Sequence, residues 1–453
     1  FARVEAAGGF EYEIVSVQND VSADIARMVT VSMMVPQYVT SPTPPAILVL
    51  DDAGLPVYQG LAPVTITVQV PRILVEQPGE VTASFLQYGH GLLGRRTQAN
   101  GGWLRAQAQE FGYVVVAGDW DGMSDDDVEH IVAMFATDIG EFRIIPDRCQ
   151  QGFLHFLAAI RFLKEGKFLK DPAMLFNGQQ AITKDAEAYY YGNSQGGILG
   201  TPVLALSQDI KRGVLGVPGG PYVLLLPRSV DFDPFGLIMQ LRYPDSLDRV
   251  FIFNFIQMLW DRADPGGYMD AVTGKAGLLP NTPTHEAILV NAIGDSQVHH
   301  LGTYFMGRAM NSSVFQSVVM EPDEILFGFP PPLADTELGQ VSLMMSYSYE
   351  CVDPAPRTNT PRRGIDPHNF PRAERSSIEQ MAEFFFTGAL RNTCNGPCHG
   401  TRPRLEPKAE VEKDSHRQHF RETAERAVVQ LQDKLNKHLQ MIELEDQHIT
   451  QTE

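Results

Sequence analysis

Residues 189–197 are Tyr189-Tyr190-Tyr191-Gly192-Asn193-Ser194-Gln195-Gly196-Gly197, an aromatic run that ends in a glycine-flanked serine. Ile198-Leu199-Gly200-Thr201-Pro202-Val203-Leu204-Ala205-Leu206 follows, with the apolar content of a buried helix. Strand, then G-x-S-x-G, then helix is the pattern of a sharp turn that exposes a serine hydroxyl at the end of a sheet strand. So tight a turn leaves no room for side chains two positions before and after the serine, and glycine removes the conflict. The helix that starts there aims its free N–H groups and positive dipole end at the same point, which suits a developing oxyanion. The pentapeptide alone also fits a glycine-rich turn without chemistry. The strand before it and the helix after it favour Ser194 as a nucleophile.

Working outward, Val81–Tyr88 has a strand pattern that ends in Gly89-His90-Gly91-Leu92-Leu93-Gly94. Glycines in such a loop let backbone N–H groups approach a ligand carbonyl closely. Downstream, His285–Asn291 reads as a buried strand, and Asp295 follows on a Gly-containing loop before a helical stretch, Leu301–Met310. Residues 340–347 read as another strand. A Pro-rich loop comes next and carries Gly364-Ile365-Asp366-Pro367-His368-Asn369-Phe370-Pro371. Its prolines stiffen the segment that presents His368. Taken singly, Asp295 also fits a helix N-cap and His368 a surface-loop histidine.

These residues resemble the motifs of the α/β-hydrolase superfamily, on the lipase and esterase side, and are similar to those of large secreted or envelope bacterial hydrolases. The resemblance rests on Gly89-His90-Gly91-Leu92, Gly192–Gly197, Gly294-Asp295 and Asp366-Pro367-His368, and spans roughly residues 25 to 400. It implies an α/β fold with a mostly parallel central sheet covered by helices. It also implies that nucleophile, acid and histidine follow in that chain order. The catalytic set is then Ser194, Asp295 and His368, with the N–H groups of Leu92 and Gln195 forming the oxyanion hole. Gly91, His90 and Trp120 are expected beside the substrate, His90 chiefly as a hydrogen-bonder that stabilises its loop. The implied chemistry is hydrolysis of a small-molecule or lipid carboxylic ester through an acyl-enzyme at Ser194, with no cofactor and no metal. The same triad serves serine peptidases and polyester depolymerases. The alternative of another class is a non-catalytic binding or envelope scaffold, against which the complete Ser-Asp-His set argues. Two departures from the family pattern stand out. The His368 loop is longer than usual, and His299 and His300 compete for the base, although both precede the last strand.

Composition agrees with a globular chain: 43% of residues are hydrophobic and 20% charged, and no apolar run is long enough to span a membrane. A formal net charge of -19 argues against nucleic acid or an anionic membrane as a partner of a general basic surface. The chain starts at Phe1 with no signal segment in view, as a mature, processed or truncated product would. Cys394 and Cys398 are spaced for a local disulfide, which suits an extracellular or cell-envelope location. Haem attachment fails on spacing, and zinc at Cys394, Cys398 and His399 lacks a fourth ligand. Cys149 and Cys351 read as buried or loop thiols, either of which could pair.

Residues 1–75 form a β-rich segment with apolar runs at Glu11–Val17, Met28–Val35, Ala46–Leu50 and Val64–Val70, separated by Pro/Ser/Thr turns. Residues 76–404 form the α/β unit, with a helix at Trp103–Phe111, an apolar strand at Tyr113–Gly118 and a helix at Phe153–Phe168. Within it, about 220–284 is an insertion rich in large apolar residues, expected to be a helical lid over the serine. The loop Asp119–Asp127 is rich in carboxylates. It fits a solvated turn and helix start better than a calcium site, because the spaced ligand pattern is missing. Residues 405–453 form a charged tail whose apolar residues, Phe420 to Ile442, recur at helical spacing and suit packing on the body or self-association.

Overall fold

The computed structural model describes residues 2–319, 328–339, 341–350, 352, 365–400 and 422–429. Strands whose residues are apolar on both faces must be covered on both sides, and these strands stack into one sheet. The strands β1 (Tyr12–Asn19), β2 (Ile25–Gln37), β3 (Gly60–Pro71), β4 (Ser84–Gly89), β5 (Tyr113–Ala117), β6 (Ala188–Asn193), β7 (Arg212–Gly216), β8 (Glu286–Ala292) and β9 (Ser342–Tyr347) lie in the order β1-β2-β3-β5-β4-β6-β7-β8-β9. The first three pairings of that order are antiparallel, and every pairing from β5 to β9 is parallel. The β-rich N-terminal segment therefore supplies the antiparallel start of the sheet.

Side chains alternate across the strands between two cores. Phe85, Val114, Val116 and Tyr190 pack on one face against α3 (Ile144–Glu165) and α4 (Gln195–Leu206). Leu86, Tyr113, Val115, Tyr189 and Tyr191 pack on the other, against α1 (Gly102–Phe111) and α8 (Arg375–Thr387). Stacked rings fasten both layers: Trp120 on Phe156 at 3.6 Å between centroids, and Tyr189 on Phe385 at 4.6 Å.

Several elements depart from their expected form. Ala46–Leu50 is not a sheet strand; it makes only isolated bridges, Val39 with Leu48 and Leu50 with Pro56. The long helix α3 starts at Ile144 rather than Phe153, and Pro146 falls in its first turn, where a missing N–H costs no helical bond. The helix α2 (Val128–Thr137) grows out of the acidic loop through a 3-10 turn, Asp125–Asp127, which a reciprocal capping box between Ser124 and Asp127 closes. The insertion is helical: a short helix Tyr222–Leu225, α5 (Asp233–Arg242), α6 (Ser246–Trp260) and a short helix Met269–Val272. The helix α7 (His300–Ala309) follows β8. Of the tail, residues 422–429 are helical with Ala424 buried; the rest of the Phe420–Ile442 periodicity and Cys351 lie outside the described residues. Cys394 and Cys398 form a disulfide, and Cys149 is buried as a free thiol. Among the described residues no helix is long and apolar enough to cross a membrane.

Candidate active site

The site begins where β4 and β6 end side by side, with Gly89 opposite Gly192 in the register. Beyond β6 the chain reverses over Ser194, which has φ 61° and ψ -127°. Such a conformation costs a non-glycine residue about 1–3 kcal/mol and persists only when its surroundings over-determine it. The surroundings here are backbone. A Cβ on Gly196 would lie 2.1 Å from the Gly89 carbonyl oxygen, and one on Gly192 would lie 2.4 Å from the Gly196 carbonyl oxygen. Tyr190 adds a hydroxyl that donates to that Gly196 carbonyl. Ser194 donates its own N–H to Gly216 at 2.9 Å, and its carbonyl accepts from the N–H groups of Gly197 and Ile198. The first N–H groups of α4, those of Gln195 and Gly196, have no acceptor within the helix and face its open end.

The loop after β4 is fastened beside this turn by side chains. Gly91 donates its N–H to Gln98 Oε1 at 2.8 Å. Gln195 reaches across, accepting the Leu93 N–H at 3.2 Å and donating Nε2 to the Met123 carbonyl at 2.7 Å. Its side chain thus joins three loop segments, a role that the sequence alone does not reveal. A Cβ on Gly91 would lie 3.9 Å from Ser194 Cβ, so the two loops meet at van der Waals distance. His90 and Trp120 do not line the cavity beside Ser194. Both are fully buried below it. Trp120 donates its N–H to His90 Nε2 at 3.0 Å and its indole N–H to the His90 carbonyl at 3.1 Å. His90 Nδ1 then donates to the Gly91 carbonyl at 2.9 Å, and the ring is a neutral brace.

The acidic loop is likewise structural. Asp119 pairs with Arg96, Asp125 and Asp126 pair with Arg95, and buried Asp127 pairs with Arg148 at 2.7 Å. Carboxylates taken up by arginines do not form a cation cage. Among the described residues no group of three or more His, Cys, Asp and Glu side chains is placed to hold a metal ion.

Asp295 follows β8 and His368 follows β9, and their side chains meet: Nδ1 of His368 lies 2.7 Å from Asp295 Oδ2. The other carboxylate oxygen accepts the N–H groups of Gln297 and Val298, both at 2.9 Å. Burial pushes the Asp295 carboxyl above its ordinary range, while the His368 imidazole and the Val298 N–H pull it down. Asp366 ties the two loops together. It accepts from Ser296 N–H, from the Gln297 amide at 2.6 Å and from the His368 N–H at 3.1 Å. His299 instead accepts the Leu301 N–H at the start of α7 and stacks on His300.

A sheet in this strand order, with the strained serine after β6, the acid after β8 and the histidine after β9, decides the architecture. The fold is that of the α/β-hydrolases. No protein-family model matches the chain, and no curated protein matches its sequence. Solved structures similar to it include acetyl xylan esterase 1 from Thermoanaerobacterium sp. JW/SL YS485, at 13% identity over 78% of this chain and 84% of that one, with a TM-score of 0.38. Lipase A of Candida antarctica in its closed state is 10% identical over 91% of this chain and 90% of that one, with a TM-score of 0.39. An acylaminoacyl peptidase of Pyrococcus horikoshii is 11% identical over 84% of this chain and 50% of that one, with a TM-score of 0.40.

Ser194, Leu92 and Gln195 line a cavity of about 80 Å³, and Gln297 and Val298 from the Asp295 turn line it with them. The insertion roofs it with Tyr222, Leu225, Leu226, Phe232, Phe235 and Trp260. Asp231 is the single carboxylate among the described residues that line this wall. The roof is itself anchored by Asp264, fully buried, which accepts the N–H groups of Tyr222 and Gly266 and the amide of Gln257 on α6. Burial raises the Asp264 carboxyl to about 6, against the pull of those donors.

Two outcomes follow from this geometry. Gly196→Ala drives a methyl group into the Gly89 carbonyl and is expected to destabilise by about 1–3 kcal/mol. Gly236→Ala, on α5 with only ordinary contacts around its Cβ position, is expected to gain about 0.5–1 kcal/mol from helix propensity. Paired thermal melts measure both, and equal midpoints would refute the close-approach argument. For Asp264 the folded-state value, about 6, exceeds the ordinary 3.8. Its contribution is therefore present in full below pH 4 and lost as pH rises to about 6, by about 3 kcal/mol at most. Denaturant unfolding of wild type and Asp264→Asn across pH 3.5–7 should give a difference that shrinks with rising pH over that window and is flat above it.

Proposed function

We propose that the protein is a serine hydrolase that cleaves carboxylic esters of apolar acids. The observation that carries this reading is the His368–Asp295 contact, set on the turn whose next residues share a cavity wall with Ser194. With Nδ1 engaged by Asp295, the imidazole is fixed in the tautomer whose Nε2 accepts a proton. Ser194 Oγ attacks the ester carbonyl carbon and gives its proton to His368 Nε2. The N–H groups of Leu92 and Gln195 take the negative charge of the tetrahedral oxygen. Collapse breaks the bond to the alcohol, which leaves with the proton from His368. Water then attacks the acyl-Ser194 carbonyl by the same route, and the free acid departs. Asp366 positions His368 without touching the reacting atoms.

The apolar roof supports an acyl or aryl group in the cavity and excludes water from the oxyanion, which strengthens the N–H interactions there. Peptidase and polyester-depolymerase activity use the same steps, and Asp231 is the feature of the wall that favours a basic group of a peptide. The Cys394–Cys398 disulfide supports an oxidising compartment, extracellular or in the cell envelope.

Ser194→Ala should lower kcat for p-nitrophenyl butyrate on the order of 10⁴-fold or more, and a fluorophosphonate probe should label wild type at Ser194 alone. Asp295→Asn should lose on the order of 10⁴-fold by holding the wrong histidine tautomer. A well-folded wild type that neither labels nor turns over the ester would establish a binding scaffold instead. Turnover of a basic anilide above that of the ester, lost in Asp231→Asn, would establish a peptidase.

A further inference from the structure

The ladder between β8 and β9 ends at the pair Ala292 and Tyr347, and the chain beyond it, Ser348 and Tyr349, is held by the disulfide loop instead. Ser348 donates its N–H to the Cys398 carbonyl at 3.0 Å and accepts the Gly400 N–H at 2.9 Å. Its hydroxyl lies 2.7 Å from His399 Nδ1, and the two residues form a parallel bridge. Gly400 sits so close to Tyr349 that a Cβ on it would fall 2.1 Å from the ring. Tyr349 in turn meets Phe370 edge to face, at 5.0 Å between centroids, and both rings are buried. Phe370 closes the turn that presents His368, donating its N–H to the Pro367 carbonyl at 2.8 Å. The far end of the loop is anchored separately: Thr393 donates its hydroxyl to the Ser376 carbonyl on α8, and Asn392 accepts the Cys394 N–H. Among the described residues, the S–S bond and one hydrogen bond, from the Asn392 amide to the Gly396 carbonyl, carry that anchorage across the turn toward Cys398. A hydrogen bond alone holds a loop weakly, whereas a covalent link removes most of its other conformations.

We propose that the Cys394–Cys398 disulfide and Tyr349 position His368, so that ester turnover runs at full rate only while the S–S bond is intact. The bond sets Cys398 to Gly400 against Ser348. Gly400 and Phe370 then enclose the Tyr349 ring, and Phe370 fixes the turn on which the imidazole meets Asp295. This rests on the ester-hydrolase reading and adds a redox dependence of its base. Neither Tyr349 nor the two cysteines touch the reacting atoms; they are positioning residues that act through the direction of His368 Nε2. Reduction by an external dithiol delivers two electrons and two protons, leaves thiols at Cys394 and Cys398, and converts the reductant to its cyclic disulfide. Cys394 is half-buried beside exposed Asn395, within reach of such a reagent. A misplacement of about 1 Å costs a reaction on the order of 10²-fold. Substrate binding under the insertion does not pass through this relay, so kcat falls and KM holds.

The test assays the full chain on p-nitrophenyl butyrate before and after dithiothreitol, while near-ultraviolet circular dichroism follows the fold. Reduction should lower kcat about tenfold or more, leave KM within about twofold, and be reversed by reoxidation. The double variant Cys394→Ser, Cys398→Ser should have the low kcat from the start and not respond to the dithiol, which sets aside Cys149 and Cys351. Tyr349→Ala should show the same loss, and Tyr349→Phe, which keeps the ring, should restore turnover. Reducing Tyr349→Ala should lower kcat little further, because both changes act in one path. A second readout needs no turnover: the low-field proton resonance of the His368 Nδ1–H bonded to Asp295 should vanish on reduction and return on reoxidation. An unchanged kcat and resonance in reduced wild type overturn the inference. So does a loss of kcat that tracks the loss of circular dichroism, or a reduced Tyr349→Ala whose two losses multiply. Oxidised wild type that neither reacts with a fluorophosphonate nor turns over the ester overturns the hydrolase reading instead, and the resonance then decides the positioning alone.

Discussion

The backbone contact between Gly196 and the end of β4 is the constraint on which the rest of the site depends. Because no side chain intervenes, the start of α4 sits against the Gly89 carbonyl, closer than any residue with a Cβ permits. The chain leaving β6 must then reverse over one residue, and that residue, Ser194, takes φ 61°. The strain is offset by bonds on three sides: the Ser194 N–H to Gly216, the Ser194 carbonyl to the first turn of α4, and the Tyr190 hydroxyl to Gly196. Strain at the serine is thus the consequence of a packed helix and sheet rather than a local peculiarity of the turn.

Around that turn, polar side chains hold loops that have no secondary structure of their own. Gln98 and Gln195 fix the loop after β4, and Asp295 and Asp366 fix the loops after β8 and β9 to each other. Each such bond is worth only about 1 kcal/mol net, but a buried donor left without its acceptor costs more than that. The loops are therefore specified by the penalty for misplacing them. Arginines bonded to Asp119, Asp125, Asp126 and Asp127 do the same for the acidic loop, using charges that composition alone would assign to solvent.

Above the site the energetics change from polar to apolar. Aromatic and aliphatic residues of the insertion close over Ser194, and a buried carboxyl, Asp264, joins the short helix at Tyr222 to α6. Placing the polar anchor away from the cavity leaves the wall beside the serine almost free of charge. Fields from oriented N–H groups act there with little competition from water.

How much of this was legible in the sequence follows from how local each signal is. Strand periodicity, the glycine spacing about Ser194 and the order of the motifs are properties of a few adjacent residues, and they led to the α/β architecture, the strained serine and the positions of Asp295 and His368. Ala46–Leu50 makes only isolated bridges, because pairing is a property of two segments rather than one. Trp120 follows the end of β5 and His90 the end of β4, so position in the chain alone puts both at the sheet's edge beside the pocket. Which way a ring turns depends on the partner it finds, here Phe156 beneath the sheet's end. The same holds for Gln195, Asp366 and Asp264, whose roles arise from neighbours remote in the chain. Local sequence determined which residues turn, cap and pair along the backbone. Only the tertiary structure decided which side chains face the cavity, because facing is settled by packing between segments.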